Sequence, residues 1–362
     1  MISCVSEYFS YYFNYYFNSI YSNIENNNEN IENNNENIEN NNENIDLNKS
    51  YYSNKILSSL EIQDSYELLF SIHKNSPKNI ELLFYDIYSK NESPKIIESR
   101  SSKIFKYDNK LFKINHKKNY KQYISIIHKL INHKSKNIII PEEIYYNKFK
   151  NNQYIEIFPY YPDGDLFSYI ENTYLTNTEK FNIFNKLVDI IHELHKINIT
   201  HRDIKPENFL VEIKNNQINI KLTDLEFSSI ATRDLKFHGG TLHYASYELI
   251  NFQNFTSWFS SDIWSLTVIL YILLFNIFPW KNTLAYKTYD TTKLNYKPCE
   301  IFNDYINSNP YDYWYKYLST LFNTDDKYFT IYLHLLTYGF NINWHQRTEI
   351  SYIKHVLNTV QY

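Results

Sequence analysis

The segment His201-Arg202-Asp203-Ile204-Lys205-Pro206-Glu207-Asn208 sets a carboxylate, an ammonium two places on and a carboxamide five places on within one short loop. Moving a phosphoryl group to a hydroxyl calls for three such groups: an acceptor for the hydroxyl proton, a positive charge beside the migrating group, and a neutral oxygen ligand for the metal on the nucleotide. Asp203, Lys205 and Asn208 can supply them in that order. Sixteen residues beyond Asn208 stands Asp224, and the intervening chain explains its return. Phe209 to Ile213 and Ile218 to Leu222 read as two short strands about the polar turn Lys214-Asn215-Asn216-Gln217, which predicts a hairpin. Asp224 then lies beside Asn208, and a carboxylate next to an amide oxygen makes a hard, oxygen-only site suited to magnesium.

Singly, each of these residues is an ordinary loop former. Together, in this order over 24 residues, they resemble the catalytic loop of eukaryotic-type protein kinases, His-Arg-Asp, four variable residues, then Asn, followed by the Asp of Asp-Phe-Gly. The triplet here is Asp224-Leu225-Glu226. The resemblance is to the serine/threonine class, with a degenerate small lobe. It implies an α+β, bilobal protein kinase-like fold, with a small antiparallel β-sheet lobe and a large, mainly helical lobe. It also implies ATP and Mg2+ as cofactors and a protein substrate with a Ser or Thr acceptor. In these terms Asp203 and Lys205 are catalytic, and Asn208 and Asp224 hold the metal. Gly240-Thr241 through Ala245-Ser246-Tyr247-Glu248 resembles the end of the family's activation segment, with Tyr247 in place of Pro. Lys205 with Thr241 suits a Ser or Thr acceptor. Arg202 is positioned to pair with a phosphate in that segment, with Ser228, Ser229 and Thr232 as candidate acceptors, although a plain solvated loop accounts for those three equally well. Asp262-Ile263-Trp264-Ser265 matches the start of the central helix of the large lobe, where the Asp braces the catalytic loop, and Arg347 falls where the family pairs an Arg with Glu248. The apolar run from Ile263 to Phe278 is short enough that a buried core helix is preferred to a membrane span.

The small lobe departs further from the family. Its glycine-rich loop would fall on Ile97, Ser99, Ser102 and Ile104, so Ser99 and Ser102 stand where glycines let a backbone approach phosphates. Lys103 to Tyr107 and Lys110 to Ile114 read as strands joined at Asp108-Asn109. Lys113 sits mid-strand where the family keeps its phosphate-binding Lys, with Lys106 and Lys110 as alternatives. The helix predicted over Tyr120 to His133 should contribute a Glu to pair with that Lys, yet no acidic residue occurs between Asp108 and Glu142. Gln122, or Asp224 directly, is left to hold it. Two more strands, Glu142 to Phe149 and Tyr154 to Tyr160, lead to the interlobe hinge. Phe158 is expected near the back of the adenine pocket, with Pro159, Tyr160 and Tyr161 offering main-chain groups to the base. The absent helix Glu and Glu226 keep a second reading open, a weak or inactive kinase-like scaffold.

Composition bounds the rest. The 362 residues carry a net charge of −4, with −7 in residues 1–50 and +10 in residues 99–150. The basic stretch reads first as a solvated lobe surface and second as a face for an acidic partner. Two cysteines make no disulfide framework, which fits a reducing, intracellular, cytoplasmic setting. Neither nucleic acid nor a membrane is an expected partner, and nothing sets the oligomeric state. Residues 1–22 are rich in Tyr and Phe without the basic stretch of a signal peptide. Residues 24–44 repeat Ile-Glu-Asn-Asn-Asn-Glu-Asn three times, with too few apolar residues for a coiled coil. The expected division is a low-complexity tail over 1–50, a helical extension over 51–91, the small lobe over 92–160 and the large lobe over 161–362. Within the extension, Ile56 to Phe70 is spaced as one helix, and Ser76-Pro77 opens a second.

Overall fold

Alternating apolar and polar residues build the small lobe. The computed structural model describes residues 66–72, 95–98, 103–116, 120–147, 153–215, 217–230, 240–250, 257–279 and 300–359. Six antiparallel strands form one sheet: β1 (Tyr66–Ser71), β2 (Lys95–Glu98), β3 (Lys103–Tyr107), β4 (Lys110–His116), β5 (Glu143–Asn147) and β6 (Gln153–Pro159), in the order β1-β5-β6-β4-β3-β2. Phe105 and Phe112 are directly paired across β3 and β4 and stack with ring centres 4.8 Å apart. Paired residues share a face of the sheet, so Lys113, opposite Glu156, points to the side away from Phe112 and Ile157. Helix α1 (Tyr120–His133) buries Tyr123, Ile126, Ile127 and Leu130, the three-to-four spacing of one apolar stripe.

One expectation fails here. Tyr66 to Phe70 belong to strand β1, paired with β5 from Tyr66↔Asn147 to Ser71↔Glu143, and not to a helix. A six-residue segment can satisfy either period, and the unpaired backbone groups on the edge of β5 decide the matter, because β1 completes their hydrogen bonds. The sheet thus gains a strand from residues assigned above to the extension. The remainder of that helix, the second one from Ser76, the seven-residue repeat, Ser99, Ser102 and Thr232 lie outside the described residues.

The large lobe is helical. Asp165 caps α2 (Leu166–Asn172) by accepting from the Ser168 N–H, and Thr176 with Glu179 forms a reciprocal cap on α3 (Asn177–Lys196). Among the described residues between α3 and Tyr247 run the strands β7 (Ile199–Thr200), β8 (Phe209–Lys214), β9 (Gln217–Leu222) and β10 (Ser229–Ile230). After the short α4 (Tyr247–Ile250), α5 (Trp258–Phe275) is buried along nearly its whole length. It is long and apolar enough to cross a membrane, yet 83% of it is enclosed by protein, as a core helix should be. Around it lie α6 (Glu300–Asn307), α7 (Pro310–Leu318), α8 (Lys327–Gly339) and α9 (Ile350–Asn358). Gly339 ends α8 where a Cβ would fall 2.2 Å from the Thr267 hydroxyl oxygen, so only glycine allows α8 this close to α5.

Candidate active site

The loop from His201 to Asn208 is held from below by one carboxylate. Asp262, buried near the start of α5, accepts from the main-chain N–H of His201 and of Arg202, both at 2.9 Å, and from His195 Nε2 at 3.0 Å. That grip holds Arg202 in the left-handed region at φ 69°, a conformation a non-glycine residue keeps only when its surroundings impose it. The Arg202 guanidinium lies over the Trp258 ring, 4.1 Å from its centre.

Asp203 is buried, and both of its oxygens are engaged. Oδ1 accepts from the Thr241 N–H at 2.8 Å, while Oδ2 takes the Lys205 ammonium at 3.0 Å and Asn208 Nδ2 at 3.2 Å. Lys205 also donates to the Thr241 hydroxyl at 2.8 Å. The loop and the end of the activation segment therefore fix one carboxylate jointly. Gly240 makes this approach feasible: at φ 126° it lies in a region that suits glycine, and a Cβ there would meet the Arg202 carbonyl at 2.9 Å. Asn208 Nδ2 donates again to the Asp203 carbonyl at 2.7 Å, which fixes the amide and leaves Oδ1 as its cation-binding atom. Glu207, exposed on the loop, accepts from the Tyr244 hydroxyl at 3.4 Å.

The hairpin predicted after Asn208 forms as β8 and β9, paired from Phe209↔Leu222 to Lys214↔Gln217. The Thr223 N–H donates to the Asn208 carbonyl at 2.9 Å, which returns the chain to the loop one residue before Asp224. Asp224 adopts a left-handed conformation at φ 61°, ψ 66°, and a 3-10 turn over Leu225–Phe227 follows. From the small lobe, the Lys113 ammonium reaches Asp224 Oδ1 at 2.9 Å and Glu226 Oε2 at 3.4 Å. Burial opposes its charge, but the two carboxylates outweigh that and raise its pKa above the ordinary lysine value. Its neighbours face elsewhere: Lys106 lies over the Tyr160 ring at 4.0 Å, and Lys110 is 3.7 Å from Glu142. Of the two stand-ins for the missing helix Glu, it is Asp224 and not Gln122 that bonds Lys113.

At the hinge, Phe158 lies opposite Leu111, on the same face of the sheet as Lys113. Pro159 has no N–H, and the Tyr160 N–H donates to the Asn109 carbonyl at 2.9 Å, so neither offers a free N–H to a base. Ser228 and Ser229 are both buried, with the Ser229 hydroxyl 3.4 Å from that of Thr200. A kinase cannot reach a hydroxyl enclosed in that way, so neither serves as a phosphate acceptor in this conformation. One further residue on the sheet face that carries Lys113, Glu156, is not among those anticipated from the sequence. It is fully buried on β6, opposite Lys113, and accepts from Asn115 Nδ2 and from the Tyr123 hydroxyl. Its signal was a lone carboxylate between Ile155 and Ile157 in a strand facing a lysine.

A small antiparallel lobe joined by a hinge to a helical lobe, with this loop facing the cleft, defines the α+β bilobal class. A family model described as "Protein kinase domain" matches residues 95–340, more than half of the chain. The chain belongs to the eukaryotic-type protein kinase family. It is 33% identical over 124 residues to the mitosis inducer protein kinase cdr1 of Schizosaccharomyces pombe, a match covering 33% of this chain and 20% of that protein. It is 31% identical over 158 residues to the probable serine/threonine-protein kinase HSL1 of Saccharomyces cerevisiae, covering 43% of this chain and 10% of that one.

Proposed function

We propose that this chain transfers the γ-phosphate of ATP to Ser or Thr hydroxyls of proteins. The observation that carries the reading is the clustering of Asp203, Lys205, Asn208 and Thr241 around one carboxylate, with Lys113 and Asp224 in contact beside it. Asp203 would orient the acceptor hydroxyl and take its proton; its two oxygens are fixed by Thr241, Lys205 and Asn208, so little reorganisation is needed at the moment of transfer. Lys205 would face the migrating phosphoryl group, and Lys113 the phosphates nearer the nucleoside. The donor set suits a hard cation, since Asn208 Oδ1 and the Asp224 carboxylate are both oxygen ligands. Magnesium held there would neutralise phosphate charge. Ser99 and Ser102 would cover the nucleotide, with Phe158 behind the base and the main chain of Tyr160 and Tyr161 along its edge. The Lys205–Thr241 contact and the names of the two relatives support the Ser or Thr acceptor. Two cysteines without a disulfide framework favour an intracellular, reducing setting.

The test is phosphate incorporation from labelled ATP into one basic and one acidic protein, wild type beside Asp203→Ala. The variant should lose about a hundredfold or more, the scale of a positioned acid–base group. Equal incorporation by the two proteins removes Asp203 from the reaction. Nucleotide binding by the wild type without transfer favours the second reading, a kinase-fold scaffold, which the absence of an acidic residue from α1 supports.

A further inference from the structure

Helix α1 has no carboxylate to offer Lys113, because no acidic residue lies between Asp108 and Glu142. An ammonium whose side chain is only 13% exposed still needs a resident counter-charge. Asp224 is the nearer of its two partners, but it is also the proposed metal ligand, and a carboxylate turned toward a divalent cation is a poor sole anchor for a lysine. Glu226 has no such competing task. Its place is fixed by the turn that carries it: Leu225 is buried in the core, the Ser228 N–H closes the turn on the Leu225 carbonyl at 3.1 Å, and β10 then pairs with β7.

On the helix side the buried Glu156 draws its hydrogen-bond donors from residues other than Lys113. Tyr123 of α1 donates its hydroxyl to Glu156, and Asn115 of β4 donates to the same carboxylate. Burial raises the Tyr123 hydroxyl well above the usual tyrosine range, so it remains a neutral donor. Glu156 faces Lys113 across the strands and helps to keep it charged, but the ammonium's hydrogen bonds go to the two carboxylates of the 224–226 turn.

We propose that Glu226 is a positioning residue, the standing counter-ion that keeps Lys113 aimed at the nucleotide phosphates once Asp224 engages metal, so that the placement of Lys113 depends on the 224–227 turn and not on α1. The inference rests on the nucleotide-site part of the function proposed above, and not on the transfer step.

The sign of the effect makes it testable. Glu226 is an anion beside the expected phosphates, so simple charge repulsion predicts that Glu226→Gln binds Mg·ATP more tightly. Loss of positioning predicts weaker binding. With the full chain and a fluorescent ATP analogue plus magnesium as the probe, Glu226→Gln should weaken binding about tenfold, the scale of one charge-assisted hydrogen bond, with Glu226→Asp recovering part of the loss. Lys113→Met with Glu226→Gln should bind no more weakly than Lys113→Met alone, because the glutamate acts through the lysine. Tyr123→Phe should stay within about twofold of wild type, since it removes no partner of Lys113. Unchanged or tighter binding in Glu226→Gln overturns the inference, and so do losses that multiply in the double variant or a Tyr123→Phe defect equal to that of Glu226→Gln. A wild type that binds Mg·ATP without transferring phosphate defeats the function proposed above and leaves this inference standing on its own binding data; a wild type that binds none defeats both.

Discussion

Asp262→Asn is the most informative single change, because it alters one atom type in a buried brace. The carboxylate accepts from two consecutive main-chain N–H groups, one on each oxygen, and from His195. An asparagine keeps one accepting oxygen and turns an NH2 toward the other backbone donor, with no room to move, since residue 262 is 1% exposed. Losing one charge-assisted bond and leaving a buried N–H without an acceptor costs about 2–4 kcal/mol. At roughly 2–4 °C per kcal/mol for chains somewhat smaller than this one, thermal unfolding should begin about 4–16 °C lower. Arg202 would then lose what holds it at φ 69°. The orientation of Asp203 next to it should loosen, and phosphate transfer should fall more than nucleotide binding does. Differential scanning calorimetry reads the first effect, and labelled-ATP kinetics beside nucleotide titration read the second. An Asp262→Asn protein that melts within about 1 °C of wild type would refute the reasoning, since it would mean that the charge and the second acceptor contribute nothing.

Three further outcomes are expected. Glu248 and Arg347 form a two-pronged pair at 2.8 and 2.9 Å with both side chains fully buried; Glu248→Gln should cost about 3–5 kcal/mol in urea unfolding, and Glu248→Leu combined with Arg347→Met should cost less than that single change. Gly339→Ala should lower the melting temperature despite alanine's better helix propensity, because the new methyl meets Thr267 Oγ1 at 2.2 Å, and Thr267→Ala in the same chain should recover part of the loss. Burial holds His243 and His334 below the usual histidine pKa, so the unfolded chain binds more protons as pH falls through 6.5 and stability declines. Melting temperatures at pH 7.5 and 5.5 should show that fall, and His243→Gln should make it shallower; a flat profile in the wild type would contradict the sign.

What the sequence revealed and what it hid follow from the range over which each feature is decided. The hairpin after the 201–208 loop and α1 are set by neighbours a few residues apart, so spacing alone anticipated the pairing of Phe209 with Leu222 and the helix from Tyr120 to His133. Strand β1 was misread because its state is decided by the edge of β5, about 75 residues away in the pairing Tyr66↔Asn147 to Ser71↔Glu143. Ser228 and Ser229 looked available because nothing local announces that β7 will pair with Ser229 or that the Ser228 hydroxyl will reach the His201 carbonyl. The partners of Lys113 are the instructive case, since Asp224 and Glu226 lie 111 and 113 residues further along the chain. No periodicity links positions so far apart, yet charge balance does. A lysine on the inner face of a sheet must find a carboxylate, and once α1 is seen to have none, the search narrows to acidic residues in apolar company beside the cleft. Glu156 between two isoleucines and Glu226 after a buried leucine meet this condition; Glu156 faces Lys113 across the strands, and Glu226 bonds its ammonium. The substitution of Glu for the family's glycine after Asp224, which weakens a motif match, is therefore the same change that supplies the charge α1 lacks.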